Sequence, residues 1–134
     1  MVIKMIKKLF KENILVFDGA MGTMLQTYNL GERDFRNERF RSHDKDLKGN
    51  NDLLCITQPQ IVREIHRSYL EAGADIIETN TFNSNAISQM DYGTQDFIYE
   101  LNYEAAKIAK SVTKDFSDSM RLVAGAIGPT SRTA

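Results

Sequence analysis

The chain has 134 residues, of which 42% are hydrophobic and 26% are charged, a balance that excludes a disordered segment and predicts a folded domain. Its formal net charge of −1 gives no general attraction to nucleic acid or to an anionic membrane. The single cysteine, Cys55, excludes an intrachain disulfide and favours a reducing, cytoplasmic location.

The first predicted element is a short amphipathic helix. Ile3, Ile6, Phe10 and Ile14 recur at helical spacing, and lysines interrupt the apolar stretch. This interruption argues against a secretory signal, and no apolar stretch is long enough to span a bilayer. We expect the helix to pack on the body of the protein, and a helix lying on a membrane surface is the alternative.

Three short apolar stretches predict buried strands, at residues 14–17, 75–79 and 121–127. None of them alternates cleanly between apolar and polar residues. This pattern is typical of strands that are buried on both faces of a parallel sheet.

Helical patterns separate these strands. Thr57 is predicted to cap a helix that stops at Gly73, where glycine permits the backbone conformation that ends many helices. Residues 94–116 carry apolar side chains every three or four positions, which predicts a longer helix. The order strand, helix, strand, helix, strand predicts a parallel α/β architecture.

A long polar stretch, residues 26–51, connects the first strand to the next helix. A connection of this length is typically functional or disordered. It contains Arg33, Arg36, Arg39 and Arg41 among acids and aromatics. Two interpretations stay open for these arginines: a docking surface for another module, or a solvated loop with local ion pairs of little energetic weight.

Polar residues follow each predicted strand. Asp18 follows the first strand, Glu78 and Asn80 end the second, and GPTSR (residues 128–132) follows the third. Parallel α/β folds place their active sites at the carboxyl ends of strands. The three positions therefore predict one shared site, with Arg132 either at its mouth or on the surface.

The sequence predicts no metal ligand within the chain. Cys55, His43 and His66 do not show the spacing of a metal site. Cys55 lies in the apolar stretch LLCI and is predicted to be a small core residue.

Four motifs carry a family resemblance: DGAMGT (residues 18–23), LKGNNDLL (47–54), GADIIETNTF (73–82) and GPTSRT (128–133). Together they resemble the homocysteine-binding domain of cobalamin-dependent methionine synthases. DGAMGT and TNTF are also similar to the wider homocysteine S-methyltransferase family, which includes enzymes that use betaine or S-methylmethionine. The second and fourth motifs favour the cobalamin-dependent branch.

The resemblance implies a TIM barrel, a (β/α)₈ fold that needs roughly 250 residues. Residues 1–134 would then form the N-terminal portion of an incomplete barrel, roughly its first three βα units with parallel strands. In the family, three cysteines from later strands hold zinc, and those cysteines are not in this sequence. We therefore expect the fragment alone to be inactive.

For the full-length protein, the resemblance implies a methyltransferase that makes methionine by moving a methyl group from methylcobalamin to a zinc-bound homocysteine thiolate. The implied cofactors are zinc and methylcobalamin. The implied partners are homocysteine and the folate- and cobalamin-binding modules of the same protein, with no nucleic acid and no membrane. Two alternatives stay open: a methyltransferase with betaine or S-methylmethionine as donor, and a non-catalytic module that binds a small molecule.

The resemblance also implies where substrate binds. A carboxylate at the end of the first strand can hold the substrate ammonium, and backbone N–H groups of a glycine loop can face its carboxylate. The expected substrate-binding residues are Asp18, Gly19, Ala20, Met21, Gly22, Glu78 and Asn80.

Other roles stay open for these residues. The glycine loop can be a plain turn that caps the next helix. Glu78 and Asn80 can cap a helix or bind water, and Glu78 can instead be a buried acid with a raised pKa.

Overall fold

The computed structural model describes residues 2–116 and 120–132, so Thr133 of the fourth motif lies outside the described residues. The helices and strands follow in chain order: α1 (Val2–Glu12), α2 (Met21–Gln26), α3 (Glu32–Arg36), α4 (Leu54–Thr57), α5 (Pro59–Glu71), β1 (Ile76–Glu78), α6 (Ala86–Gln89), α7 (Ile98–Thr113) and β2 (Leu122–Ala124). Three short 3₁₀ turns lie between them: Asn51–Leu53, Met90–Tyr92 and Gln95–Phe97.

The strands are parallel, as the sequence predicts, but the predicted burial holds only for Ile76 and Ile77 of β1: residues 14, 16 and 17 are exposed, and β2 is half-buried. Strand β1 pairs with β2 in parallel register, with Ile77 opposite Val123, and Phe17 forms a single parallel bridge to Ile76 on the other edge of β1. All three strands are shorter than predicted, and the first is reduced to this bridge. One reason is that the Val16 N–H donates to the Asp75 carboxylate (2.9 Å), so the ladder does not extend toward residue 14. Closure into a barrel stays a prediction.

Helices α5 and α7 confirm the two longer helical patterns. The predicted cap is wrong: Thr57 ends α4, its hydroxyl donates to the Leu53 carbonyl (3.3 Å), and Pro59 opens α5. Proline suits a first helical turn because its missing N–H has no partner there in any case. Gly73 has φ of +103°, the left-handed conformation expected at the end of this helix.

The core lies between α5, α7 and the elements that precede them. Helix α7 buries the face predicted from its spacing, and this face packs against α5 and α4. A second cluster joins the end of α7 to the sheet through Ile77 and Val112. These contacts fix β1 and β2 beneath the loops that follow them.

The polar stretch 26–51 is ordered rather than disordered. It contributes Phe35, Phe40 and Leu47 to the core, and these three buried side chains hold it against the helices. Its arginines make contacts within the stretch and with α7. Arg36 donates to three backbone carbonyls of the same stretch and pairs with the Glu32 carboxylate, and Arg39 pairs with the Glu100 carboxylate of α7 through two hydrogen bonds. These contacts fit the ion-pair interpretation, and a docking role is not tested by them.

Helix α1 forms as predicted, but its expected packing on the body is wrong. Ile3 and Phe10 are 70% and 54% exposed, so the apolar face has little cover from the described residues. None of the helices in the described part of the chain is long and apolar enough to cross a membrane.

We expect the buried His66 on α5 to make the free energy of unfolding depend on pH. Its side chain is fully buried, and no described residue hydrogen-bonds either ring nitrogen. Burial lowers the pKa of His66 from 6.5 to about 4. Between these values the unfolded chain binds a proton that the folded chain does not, so the free energy of unfolding should fall as pH falls.

The expected loss approaches about 3 kcal/mol at the acid end of this range. The difference in denaturant unfolding between the parent and a His66→Phe variant, followed from about pH 7 to pH 4.5, would measure it, because Asp18, whose pKa is raised to about 6, contributes a change of the opposite sign to both proteins. The His66→Phe variant cannot titrate and should lack this part of the pH dependence. An identical pH dependence in both proteins would contradict the prediction.

Candidate functional site

A cavity of about 570 Å³ opens at the carboxyl ends of the strands. All seven residues that the sequence predicts as a binding set line it: Asp18, Gly19, Ala20, Met21, Gly22, Glu78 and Asn80. They come from the segment after Phe17 and from the end of β1, which the parallel pairing brings side by side. The volume lies within the usual range for small-molecule pockets.

Asp18 is fixed at the wall of this cavity by its neighbour strand. Its own N–H donates to the Ile76 carbonyl (2.9 Å), and its Oδ2 accepts the N–H of Glu78 (3.0 Å). Burial raises the pKa of the Asp18 carboxyl to about 6, while the hydrogen bond from Glu78 opposes this rise and the Glu78 charge adds to it. The carboxylate is therefore ionised at neutral pH and becomes protonated under mildly acidic conditions.

The glycine loop after Asp18 leads directly into α2. Ala20 is the N-cap residue of α2, and no side chain caps the helix there. Among the described residues, therefore, no N-cap side chain accepts a hydrogen bond from the first-turn N–H groups at the wall of the cavity. Tyr69 supports the loop from behind, because its hydroxyl donates to the Ala20 carbonyl (3.2 Å) and its ring lies 3.0 Å from where a Cβ on Gly19 would be.

Glu78 and Asn80 differ in what they offer to the cavity. Glu78 is exposed, so the alternative of a buried acid is wrong for this residue. Asn80 is buried, and its amide donates to the Asn51 carbonyl (2.8 Å) and to the Cys55 sulfur (3.6 Å). Its amide group thus ties the end of β1 to the preceding turn, while the residue still lines the cavity.

The segment after the third predicted strand, residues 128–132, contributes less to the cavity than the sequence predicts. Ala126 lines the cavity, but residues 128–132 do not, and Arg132 is exposed. Gly128 instead contacts the backbone of Phe82, where a Cβ would lie 2.1 Å from the carbonyl oxygen. The surface alternative for Arg132 is therefore the one that the structure supports.

Comparison with known proteins identifies the chain. The sequence profile of the family described as Homocysteine S-methyltransferase matches residues 15–134. The chain belongs to the homocysteine S-methyltransferase family.

The fold is similar to crystal structures of the homocysteine methyltransferase MmuM from Escherichia coli. The metallated form matches at 21% identity with a TM-score of 0.68, covering 91% of this chain and 40% of that one. The oxidized form matches at 22% identity with the same TM-score, covering 90% and 39%. The chain thus spans about two fifths of the length of MmuM, and at these identities the likeness concerns the fold alone.

Zinc does not fit the residues that this homocysteine S-methyltransferase chain offers. Residues 2–116 and 120–132 contain no group of three or more His, Cys, Asp or Glu that can hold a metal ion. Burial raises the pKa of the Cys55 thiol to about 12, which keeps it protonated and a poor ligand. The Nε2 atom of His43 is already hydrogen-bonded to the Tyr92 carbonyl (2.7 Å). No metal-dependent step is therefore assigned to these residues.

The cavity of this family member also contains residues that were not predicted as site residues. They are Asn51, Asp52, Thr79, Phe82, Asn83 and Ala126. Asn51 and Asp52 belong to the LKGNNDLL motif, and Thr79 and Phe82 to the GADIIETNTF motif. The motifs therefore contain four of these six residues, whereas Asn83 and Ala126 lie outside every motif, and only the folded chain shows which residues line the cavity.

Proposed function

We propose that this chain is the homocysteine-binding, N-terminal part of a cobalamin-dependent methionine synthase. The observation that carries the proposal is the convergence of the Asp18 carboxylate and the uncapped glycine loop on one cavity. Membership of the homocysteine S-methyltransferase family supports the substrate class. The single cysteine, which is buried and free, supports a cytoplasmic location.

The amino-acid end of homocysteine complements this cavity. Its ammonium would bind the Asp18 carboxylate, with the Glu78 carboxylate nearby, through charge-assisted hydrogen bonds. Its carboxylate would accept hydrogen bonds from backbone N–H groups at the start of α2, since no Lys or Arg of the described residues lines the cavity. The described residues would therefore bind and orient the substrate.

The reaction would form a bond between the substrate sulfur and a methyl carbon as the bond from that carbon to the donor breaks. The thiol proton would be lost, because the thiolate is the nucleophile. The zinc and methylcobalamin of the full-length enzyme would bind outside the described residues, as would the folate- and cobalamin-binding modules. The fragment alone would bind substrate without turnover.

We place the chain as the first three βα units of a (β/α)₈ barrel. Among the described residues, β2 pairs only with β1, which leaves its outer edge open. Val16 and Phe17 are exposed, and Ile127 is 97% exposed. Apolar residues on strands and strand ends are usually covered, so further strands would complete their environment.

Assays of the full-length protein test the proposal. Titration calorimetry should detect homocysteine binding, and methionine should form with methylcobalamin as donor but not with betaine or S-methylmethionine. Turnover with one of the other donors would overturn the cobalamin assignment and leave the homocysteine site intact. Binding without turnover under any donor would favour a non-catalytic module, and absence of homocysteine binding would refute the proposed site.

A further inference from the structure

Asp52 is a buried carboxylate without a cationic partner. It is 2% exposed, and no described Lys or Arg forms an ion pair with it. Its Oδ2 accepts two hydrogen bonds, from the Asn83 N–H (2.8 Å) and from the Ser84 hydroxyl (2.7 Å). A buried charge is costly unless such donors compensate it, so these two bonds are strong constraints on the loop after β1.

These bonds end at the wall of the cavity. Phe82 and Asn83 both line it, and the Phe82 side chain is 57% exposed at its mouth. The Asp52 carboxylate thus lies beside the segment that presents Phe82, and Asp52 also lines the cavity. On its other side, the same segment contacts Gly128 through the Phe82 carbonyl.

The backbone next to Asp52 is itself fixed. The side-chain amides of Asn50 and Gln89 exchange two hydrogen bonds, of 2.8 and 3.1 Å. Thr94 donates to the Gln89 side-chain oxygen (2.6 Å), and all three residues are buried. Because every member of this network has a partner, it holds Asp52 in one position relative to the loop.

We propose that Asp52 is a positioning residue, whose carboxylate holds the backbone of Phe82 and Asn83 in the geometry that binds the ligand. Only the identity of the ligand, homocysteine, rests on the proposed function. The competing explanation is a direct contact between the Asp52 charge and the ligand, since Asp52 also lines the cavity.

Two substitutions of Asp52 separate these explanations in the full-length protein. Asp52→Ala removes both hydrogen bonds to the loop and should weaken homocysteine binding about tenfold. Asp52→Asn keeps an oxygen acceptor in place of Oδ2 but removes the charge, and should bind within about twofold of the parent. Ser84→Ala removes one donor only and should weaken binding about threefold, which keeps a test available if Asp52→Ala does not fold.

Hydrogen exchange gives a readout that does not depend on the ligand. The Asn83 amide is protected by its bond to Asp52, so exchange of a peptide that covers it should accelerate in Asp52→Ala and not in Asp52→Asn. Asp91→Ala is the matched control, because Asp91 is an exposed acid whose carboxylate has no hydrogen bond to a described residue. It should change neither binding nor exchange.

The outcomes distinguish the two proposals. Equal loss of binding in Asp52→Asn and Asp52→Ala, with unchanged exchange, would overturn the positioning role in favour of a charge contact. Native exchange in Asp52→Ala would overturn it whatever the ligand. If the parent protein binds no homocysteine, the proposed function fails, and the exchange comparison still decides whether Asp52 orders the loop.

Discussion

Replacing Asp18 with asparagine should weaken homocysteine binding about a hundredfold at neutral pH, because the substrate ammonium loses its ionised partner in a partly desolvated cavity. The change conserves shape, and the asparagine oxygen can still accept the N–H of Glu78 that Asp18 accepts at 3.0 Å. The loss would therefore report on charge rather than on loop geometry. Calorimetric titration of the full-length protein would measure it.

The same residue predicts the pH dependence of binding. The pKa of Asp18 is raised to about 6, so its carboxyl becomes protonated as pH falls through that value. Homocysteine affinity of the parent should fall over the same range, and Asp18→Asn should lack this dependence. Asp44→Asn, a change at an exposed acid in the polar stretch, should behave as the parent.

The Asp18→Asn substitution should raise the stability of the protein although it lowers the homocysteine affinity. The folded-state pKa of Asp18 lies above its ordinary value of 3.8, so the ionised carboxylate opposes folding at neutral pH. Asp18→Asn should therefore raise the free energy of unfolding by less than about 1 kcal/mol, since solvent screens this partly exposed group, and the melting temperature should rise slightly. Loss of binding together with lower stability would indicate a misfolded loop and contradict this account.

Replacing Gly128 with alanine should destabilise the fold and damage the site together. A Cβ at this position would lie 2.1 Å from the Phe82 carbonyl oxygen, and the obstacle is backbone, which cannot rotate away as a side chain can. The two segments are also pinned beside this contact, because Thr81 donates to the Ala126 carbonyl (2.8 Å). Relief of the clash requires this connection to open.

We expect a cost of about 1–3 kcal/mol in the free energy of unfolding, with homocysteine binding at least about tenfold weaker because Phe82 moves from the cavity wall. Gly125→Ala is the matched control from the same segment, since a Cβ there meets no atom within 4 Å. It should change stability by less than about 0.5 kcal/mol. Equal behaviour of the two alanine variants would refute the steric role of Gly128.

The sequence by itself determined the parallel α/β class and the position of Asp18. Both follow from local rules: apolar stretches without alternation are typical of parallel strands, and a carboxylate directly after such a strand lies at its carboxyl end. The burial that the same pattern predicts holds for Ile76 and Ile77 of β1 but not for residues 14, 16 and 17, which are exposed where no further described strand covers them. Helices α5 and α7 followed from spacing for the same reason, because burial of one helical face leaves a periodic pattern in the chain. The prediction for Thr57 is wrong because its hydroxyl donates to the Leu53 carbonyl at the start of α4. A helix of only four residues is too short to leave a periodic pattern that would have indicated this.

Other features were decided only by tertiary structure. The stretch 26–51 is mostly polar in sequence, yet three separated apolar side chains, Phe35, Phe40 and Leu47, pack into the core and hold it there. The bonds from Asp52 to Asn83 and Ser84 span 31 and 32 positions of sequence, and the contact of Gly128 with Phe82 spans two strand ends. Periodicity and composition indicate whether a residue is buried. A hydrogen bond between distant segments depends instead on how the strands pair. The residues that form the wall of the cavity can therefore be identified only in the folded chain.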